Sequence, residues 1–153
     1  MKVNQIGAKG LNLIKKYEGF RASPYKCPAG IPTIGYGATY YPDGTKVKLT
    51  DKPITTREAD TMLLNMLRHY EQGVDSFTID LVNQNQFDAL VSIAYNIGLQ
   101  ALKGSTLIRK VNLDPNDKTI KNEFMRWTKA NGKVLDGLLA RRKEEAELYG
   151  TIC

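Results

Sequence analysis

The longest periodic segment of this sequence opens on a Thr-x-x-Glu pair, Thr55 and Glu58. A threonine followed three residues later by a glutamate is typical of a capping box, in which both side chains satisfy backbone N–H groups at a helix start. Apolar side chains then recur at steps of three and four residues, at Ala59, Met62, Leu63, Met66, Leu67, Tyr70 and Val74. We therefore predict one amphipathic helix of about 20 residues, which ends near Asp75 and connects the parts of the chain before and after it.

The segment before this helix has the composition of a small sheet. A first helix is predicted from about Gly7 to Tyr17, and Gly19 ends it. The stretch TIGYGATYYPDGTKVKL is rich in threonine, tyrosine, isoleucine and valine, and it contains a turn signal at Pro42–Gly44. We expect short antiparallel strands here.

Helical patterns dominate the remainder of the chain. The predicted helices are Asn83 to Gly98, a short one after Ser105, a short one after Asn116, and Leu135 to Gly150. The fold class is therefore α+β and mostly helical, as one domain over residues 1–153. We expect a small β-containing lobe at about 15–55 and a helical lobe at about 56–153 that includes the N-terminal helix. A cleft between the two lobes is the natural place for a ligand.

The charge of the chain favours polyanionic partners. It has 22 lysine and arginine residues against 16 aspartate and glutamate residues, a net charge of +6 at neutral pH. Nucleic acid, teichoic acid, lipopolysaccharide and anionic peptidoglycan all fit such an excess. Nucleic acid is disfavoured, because acidic residues interleave the basic ones in RRKEEAE and no basic recognition helix is present. High solubility is the alternative meaning of the charge.

Cysteine and histidine are too scarce for a disulfide framework or a zinc site. The sequence has Cys27, Cys153 and one histidine, His69, with no CxxC spacing. We expect no metal and no cofactor. The first residues, MKVNQIGAKGLNLIKK, lack the apolar core of a signal peptide, and no apolar run reaches membrane-spanning length. The expected product has no membrane anchor and is soluble in the cytoplasm where it is made.

The stretch KYEGFRASPYKCPAGIPTIGYG contains the candidate chemistry. Glu18 falls at the end of the first predicted helix, where the negative end of the helix dipole disfavours ionisation of a carboxyl group. A carboxyl group that keeps its proton can protonate a leaving glycosidic oxygen. Thr33 lies where Gly35 and Gly37 allow a close approach of the backbone to a ligand, and its hydroxyl can orient a water molecule. A solvated surface glutamate and a threonine chosen for strand propensity are the alternatives.

This stretch resembles the active-site segment of the phage-type lysozymes, or endolysins, of glycoside hydrolase family 24. Two later motifs are similar to the family's interior helix and to its C-terminal signature, QFDALVSIAYNIG and FMRWTKANGKVLDGLLARRKEEAELY. The resemblance covers nearly the whole chain. It implies hydrolysis of the β-1,4 bond between N-acetylmuramic acid and N-acetylglucosamine in bacterial peptidoglycan, without a cofactor.

The family site has a glutamate, an aspartate or cysteine nine residues later, and a threonine six residues beyond, and Glu18, Cys27 and Thr33 match that spacing. The resemblance implies that Glu18 is the general acid and that Cys27 and Thr33 handle the attacking water. Cys27 departs from the aspartate of the best-studied branch, because a free thiol with a pKa of ~8.5 is mostly protonated at neutral pH. Cys27 has four open roles: a base, a group that polarises water, a nucleophile, or an inert buried thiol. We favour water attack, which predicts inversion at the anomeric carbon. Ala38 stands where many relatives carry histidine.

Further site residues follow from the same resemblance. The substrate-binding candidates are Tyr95, Asn96, Thr39 and Gly37. Core packing is the alternative for Tyr95. Arg141 or Arg142 on the last helix is a candidate to orient Glu18, and a solvated basic helix end is the alternative.

The resemblance also implies a biological setting. We expect a monomer that leaves the host cytoplasm when a holin opens the membrane and that then acts on the cell wall. A non-catalytic peptidoglycan-binding module is the first alternative, although such a module would be expected to have lost Glu18. A chitin- or chitosan-cleaving hydrolase on the same fold is the second.

Overall fold

A computed structural model describes residues 2–152, in which seven helices and four short strands form. In chain order they are α1 (Ala8–Glu18), β1 (Arg21–Lys26), β2 (Pro32–Gly35), α2 (Thr56–Phe77), α3 (Gln84–Ile97), α4 (Leu99–Lys103), α5 (Thr106–Leu113), α6 (Ile120–Phe124), β3 (Lys129–Ala130), β4 (Lys133–Val134) and α7 (Asp136–Gly150). The chain divides into two compact units. We call Lys15–His69 the β-containing unit, and residues 2–14 with 70–152 the helical unit. Cys153 lies outside the described residues.

The β-containing unit has a small antiparallel sheet, as predicted, but one of its strands, β1, precedes the stretch in which strands were predicted. β1 pairs with β2 so that Tyr25 lies opposite Thr33 and Arg21 opposite Gly35, with a bulge between the two pairs. A cluster of buried side chains forms the core of this unit: Ile34, Ala38, Val47, Ile54, Ala59 and Met62. The Cys27–Thr33 stretch is therefore part of a sheet that is supported by this buried core.

The strands around the Pro42–Gly44 turn are shorter than predicted. The turn forms, with a 2.9 Å hydrogen bond from the Gly44 N–H to the Tyr41 carbonyl, but an isolated bridge takes the place of regular strands. The Asp51 carboxylate accepts hydrogen bonds from the Tyr41 hydroxyl and the Lys48 N–H, both at 2.8 Å. The Asp51 side chain therefore holds the loop through these hydrogen bonds. Hydrogen bonds between side chains and nearby backbone groups compete with the backbone ladder of a regular sheet.

The predicted starts of α2 and α3 have reciprocal capping boxes. The Thr55 and Glu58 N–H groups each donate to the other residue's side chain at 3.1 Å. Asn83 and Gln86 do the same at the start of α3, at 2.9 and 2.8 Å. Gly98 ends α3 with a φ of +93°, a left-handed conformation that glycine adopts without strain. The predicted bounds of α2 and α3 are confirmed to within two residues. They could be predicted this closely because the capping signals are local in sequence.

α3 forms the core of the helical unit. Its residues from Asn85 to Ala94 are buried, and it packs against α7, which also packs against α6. Phe87, Leu90 and Ile93 are fully buried, and each such side chain contributes about 1.5–3 kcal/mol of transfer free energy. Packing on most of its surface holds α3 in place, whereas its last turn, residues 95–97, is partly exposed.

α1 is held at its first turn by a side chain of α3. The Asp88 carboxylate accepts hydrogen bonds from the N–H groups of Gly7 and Gly10 at 2.8 and 3.1 Å. A negative charge at a helix N-terminus is favourable. A Cβ atom at Gly10 would lie 2.6 Å from the Asp88 Cβ, so this contact requires glycine. α1 ends at Glu18, one residue beyond the predicted end.

The sequence patterns miss two features of the helical unit, α4 and a hairpin. α4 is a short helix between two predicted ones, whereas the short helix predicted after Asn116 is present as α6, which begins at Ile120. β3 and β4 form a hairpin whose turn residues, Asn131 and Gly132, have φ values of +52° and +77°. An Asn-Gly pair is the strongest short hairpin signal in a sequence, so this hairpin was predictable.

Candidate active site

Cys27 lies at the start of a three-residue turn that closes the β1–β2 hairpin. Its N–H donates to the Ile31 carbonyl at 3.0 Å, and the Gly30 N–H donates to the Cys27 carbonyl at 2.8 Å. Pro28 suits the first position of such a turn, and Gly30 supplies the left-handed position with a φ of +80°. The sequence CPAGI therefore builds the turn locally and leaves Cys27 half-buried.

Nearby hydrogen-bond donors favour the thiolate form of Cys27. The Ile31 N–H has the largest effect, and the Ala29 N–H, the Thr33 hydroxyl and the N–H of Cys27 itself add to it. Together they hold the pKa of Cys27 below the ordinary value of a thiol, against an opposing effect of burial. A thiolate therefore forms at lower pH here than in a free cysteine.

Thr33, in strand β2, has a hydroxyl group that can interact with the Cys27 sulfur. The side chain is almost completely buried, with 2% of its surface exposed, and its hydroxyl donates to the Ile31 carbonyl at 2.8 Å. Because a hydroxyl has one proton, Thr33 donates either to this carbonyl or to the Cys27 sulfur at any one time. Ionisation of Cys27 is therefore expected to turn the Thr33 hydroxyl from the carbonyl to the sulfur.

We expect Cys27 to be alkylated by iodoacetamide with a pH midpoint below that of a free thiol, about 8.5. The thiolate is the reactive species, so the rate rises with pH through the lowered pKa of Cys27. Thr33→Val removes the side-chain donor among them and should move the midpoint upward. The measurement is the alkylation rate of the Cys27 peptide by mass spectrometry, with Cys153→Ser in every sample.

Thr78→Val is the matched control for this titration, because Thr78 also donates to a backbone carbonyl, that of Val74 at 2.7 Å. It should leave the Cys27 midpoint unchanged. Equal midpoints in the parent protein and Thr33→Val would contradict the coupling.

The pKa of the Tyr25 hydroxyl is affected by both Glu18 and Cys27. Burial raises the pKa of Tyr25, Arg21 lowers it, and the charges of Glu18 and Cys27 raise it further. The Arg21 guanidinium lies 4.3 Å from the centroid of the Tyr25 ring. Glu18 is half-buried at the end of α1, and Tyr25 is the cross-strand partner of Thr33. Tyr25 thus lies opposite Thr33 in the sheet, and the charges of Glu18 and Cys27 are close enough to affect its pKa.

Tyr25 is the residue of this site that the sequence reasoning missed. Side chains two residues apart in a strand point to the same face, so Tyr25 and Cys27 were candidates for one face. The CPAG turn would then have paired Tyr25 with Thr33. The signal was present, but it required recognition of β1 as a strand.

Gly37 and Thr39 follow β2 in a tight reversal of the β-containing unit. Ile34 and Ala38 exchange two backbone hydrogen bonds of 2.9 Å around it, and the Thr39 carbonyl accepts from the Val47 N–H at 3.0 Å. Gly37 has a φ of +85°, which this reversal requires. A contact of either residue with substrate stays a prediction.

Tyr95 and Asn96 occupy the last turn of α3 in the helical unit. The half-buried Tyr95 ring packs edge-on against Tyr70, with centroids 5.1 Å apart and an angle of 72°. Asn96 is exposed, and its Oδ1 accepts a hydrogen bond from Arg142. Packing therefore accounts for part of the Tyr95 surface, and sugar binding by either residue stays a prediction.

Arg141 and Arg142 are buried in α7, with 3% and 0% of their surfaces exposed. Both donate to the Glu145 carboxylate. The alternative of a solvated basic helix end is therefore wrong. The Arg-to-Glu spacings of three and four residues were visible in the sequence as possible helical ion pairs, although burial was not. A role of either arginine in orienting Glu18 stays a prediction.

The described part of the chain offers no obvious place for a resident metal. Among residues 2–152, no group of three or more histidine, cysteine, aspartate and glutamate side chains is arranged to hold one. No helix within residues 2–152 combines the length and the apolar character needed to cross a membrane.

Comparison with known proteins identifies the family. Residues 15–145, most of the chain, match the family described as phage lysozyme. The chain belongs to the phage lysozyme family. The endolysin of Salmonella phage P22 is 39% identical over 145 residues, which cover 95% of this chain and 97% of that protein. The solved structure of an endolysin from Escherichia coli O157:H7 phage FAHEc1 superposes with a TM-score of 0.87 at 36% identity, over 97% of this chain and 96% of that one.

Another phage lysozyme relative extends beyond the shared region. The endolysin of Bacillus phage B103 is 42% identical over 151 residues, which cover 95% of this chain and 54% of that protein. The chain thus spans about half the length of this relative. The structural match confirms the predicted α+β, mostly helical, lysozyme-like fold, and the family match confirms the predicted relationship to phage-type lysozymes.

Proposed function

We propose that this member of the phage lysozyme family is a muramidase. It hydrolyses the β-1,4 bond between N-acetylmuramic acid and N-acetylglucosamine in bacterial peptidoglycan. The observation that supports the proposal is the β1–β2 hairpin, which places the Cys27 turn next to Thr33, together with the effect of the Glu18 and Cys27 charges on the pKa of Tyr25, the partner of Thr33. Relatives of the shared length that are named endolysins support it. The reaction needs no cofactor.

Glu18 is the proposed general acid. Its carboxyl group donates a proton to the glycosidic oxygen as the bond to the anomeric carbon breaks, which avoids an alkoxide leaving group. Proton transfer by a positioned side chain contributes about 10²–10⁴ in rate. Glu18 is half-buried at the end of α1, which fits this role.

Cys27 and Thr33 are the groups proposed to handle the attacking water. A thiolate accepts a proton from water more readily than a thiol, and the hydrogen-bond donors near Cys27 favour the thiolate. The Thr33 hydroxyl can donate and accept, so it can fix the orientation of that water. Attack by water on the face opposite the leaving group inverts the anomeric carbon.

The remaining assignments are part of the same proposal. The proposed glycan-binding residues are Tyr95, Asn96, Thr39 and Gly37. Arg141 or Arg142 is proposed to orient Glu18. The positive charge of the chain, +6, favours association with an anionic wall.

The test is the identity of the new reducing end after digestion of purified peptidoglycan. Borohydride reduction followed by acid hydrolysis should yield muramitol, because a muramidase leaves N-acetylmuramic acid at the new end. Glucosaminitol alone would contradict the proposed bond, and faster cleavage of chitin or chitosan would favour that hydrolase class. Binding without any new reducing end would identify a non-catalytic module. The anomer first formed, followed by ¹H NMR, separates water attack from covalent attack by Cys27.

The proposed biological role is lysis of the host cell. A monomer accumulates in the host cytoplasm and reaches the wall after a holin opens the membrane. Expression of the chain alone should leave cells intact, whereas co-expression with a holin should lyse them. Lysis by the chain alone would contradict the holin requirement and leave the wall-cleaving activity in place.

A further inference from the structure

Arg142 is fully buried in the helical unit, and three segments of the chain share its guanidinium. Nε donates to the Trp127 carbonyl at 3.0 Å, Nη1 donates to Glu145, and Nη2 donates to Oδ1 of Asn96. A guanidinium is a rigid planar fork. Acceptors on three sides of it therefore fix both its place and its orientation.

The carboxylate opposite Arg142 is equally constrained. Glu145 is fully buried, and its second oxygen accepts hydrogen bonds from the Ser92 hydroxyl at 2.5 Å and from Arg141 Nε at 3.2 Å. Arg141 in turn donates to the Ser92 carbonyl at 3.1 Å. Any rotation of Arg142 would leave a buried charge without its partner, which is strongly unfavourable.

Asn96 is the one exposed side chain among these partners of Arg142 within residues 2–152. A guanidinium offers only donors, so the carboxamide must turn its oxygen toward Arg142 and its Nδ2 away from it. Nδ2 has no hydrogen-bond partner among the described residues. An exposed asparagine otherwise rotates and presents either group. Arg142 thus converts Asn96 from an adaptable polar residue into a fixed donor.

We propose that Arg142 is a positioning residue that holds the Asn96 carboxamide as an obligate hydrogen-bond donor to an amide carbonyl oxygen of peptidoglycan. This inference rests on the proposed function, because it takes peptidoglycan as the ligand. Amide carbonyls occur in that polymer on the N-acetyl groups of the sugars and on the stem peptides. Both sources offer the same acceptor chemistry to Nδ2.

The first experiment measures binding without turnover. Isothermal titration in a Glu18→Gln background gives the dissociation constant for soluble peptidoglycan fragments. Asn96→Asp keeps the shape and the acceptor for Arg142 but removes the outward donor, so we expect affinity to fall about tenfold, the range of one hydrogen bond. Asn122→Asp makes the same charge change at an exposed residue of α6 and should alter affinity less than about twofold.

Two modified ligands separate the sources of the carbonyl. Peptide-free glycan strands lack the stem-peptide amides, and N-deacetylated fragments lack the N-acetyl carbonyls. The effect of Asn96→Asp should vanish on the fragment that lacks the recognised carbonyl and persist on the other. Persistence on both would overturn the assignment of an amide carbonyl.

The second experiment tests the positioning role of Arg142. In the free protein, NMR relaxation of the Asn96 side-chain NH₂ group should give an order parameter near that of rigid backbone, about 0.85, whereas Asn122 should fall below about 0.6. Arg142→Lys keeps the charge but cannot donate to three acceptors, so it should weaken binding several-fold with Asn96 present. The same change beside Asn96→Asp should have less than about a twofold effect.

The outcomes separate this inference from the proposed function. No binding of peptidoglycan by the Glu18→Gln protein would overturn both. Binding that is unaffected by Asn96→Asp, or equal mobility of Asn96 and Asn122, would overturn the inference alone. The NMR comparison uses the unmutated chain, so it decides the positioning role even where Arg142→Lys fails to fold.

Discussion

Glu18→Gln is expected to lower turnover of peptidoglycan at least ~100-fold, the low end of what a general acid contributes. Glutamine keeps the size of the side chain but cannot deliver a proton to the glycosidic oxygen. The leaving group would then depart as an unprotonated alkoxide. The measurement is the initial rate of new reducing ends, together with the thermal unfolding midpoint, which should stay within a few degrees of that of the parent protein.

Glu147→Gln is the matched control for this prediction. It makes the same chemical change at an exposed glutamate of α7, and it should leave the turnover unchanged. Full activity in Glu18→Gln would remove Glu18 from the mechanism. Loss of activity together with a large drop in the unfolding midpoint would show instead that Glu18 is needed for the fold.

The helices were the most predictable part of this fold, because their signals are local. The boxes at Thr55–Glu58 and Asn83–Gln86 specify helix starts within four residues, and Gly98 specifies an end. Each signal acts through backbone groups of its own neighbourhood. α4 escaped prediction because a five-residue helix carries too little periodicity to be recognised.

The sheet was harder to predict, since strands depend on partners distant in sequence. β1 has the sequence RASPYK, with a proline and three polar or charged residues, and it pairs through a bulge. Its propensity for a strand is weak, so packing and the CPAGI turn decide its conformation. The catalytic candidates Cys27 and Thr33 were nevertheless found, because a resemblance supplied their spacing.

The buried arginines show what local patterns leave out. The sequence places Glu145 three and four residues after Arg142 and Arg141, which permits ion pairs on an exposed or a buried helix face alike. Whether this helix face is buried depends on contacts distant in sequence. The hydroxyl of Ser92, 53 residues away, donates a hydrogen bond to the Glu145 carboxylate. Only the packing of α3 against α7 reveals that this network is internal.

Glu145→Gln is expected to cause the largest loss of stability that we predict, about 3–5 kcal/mol in the free energy of unfolding. The change is isosteric, but it leaves two buried guanidinium groups, those of Arg141 and Arg142, without a counter-charge. Urea denaturation followed by far-UV circular dichroism provides the measurement. An unchanged slope with urea concentration would show that the loss concerns stability rather than a change of the unfolded state.

The control for Glu145→Gln is Asp80→Asn, which breaks an exposed ion pair with Lys2 at 2.9 Å. Asp80 keeps 69% of its side-chain surface exposed, so water solvates both charges, and loss of the pair should leave the free energy of unfolding almost unchanged. The contrast arises from burial, since removal of one partner costs little where the other can be hydrated. If Glu145→Gln lost no more stability than Asp80→Asn, the arginines would be hydrated rather than internal. Arg142 would then have no fixed frame from which to hold Asn96.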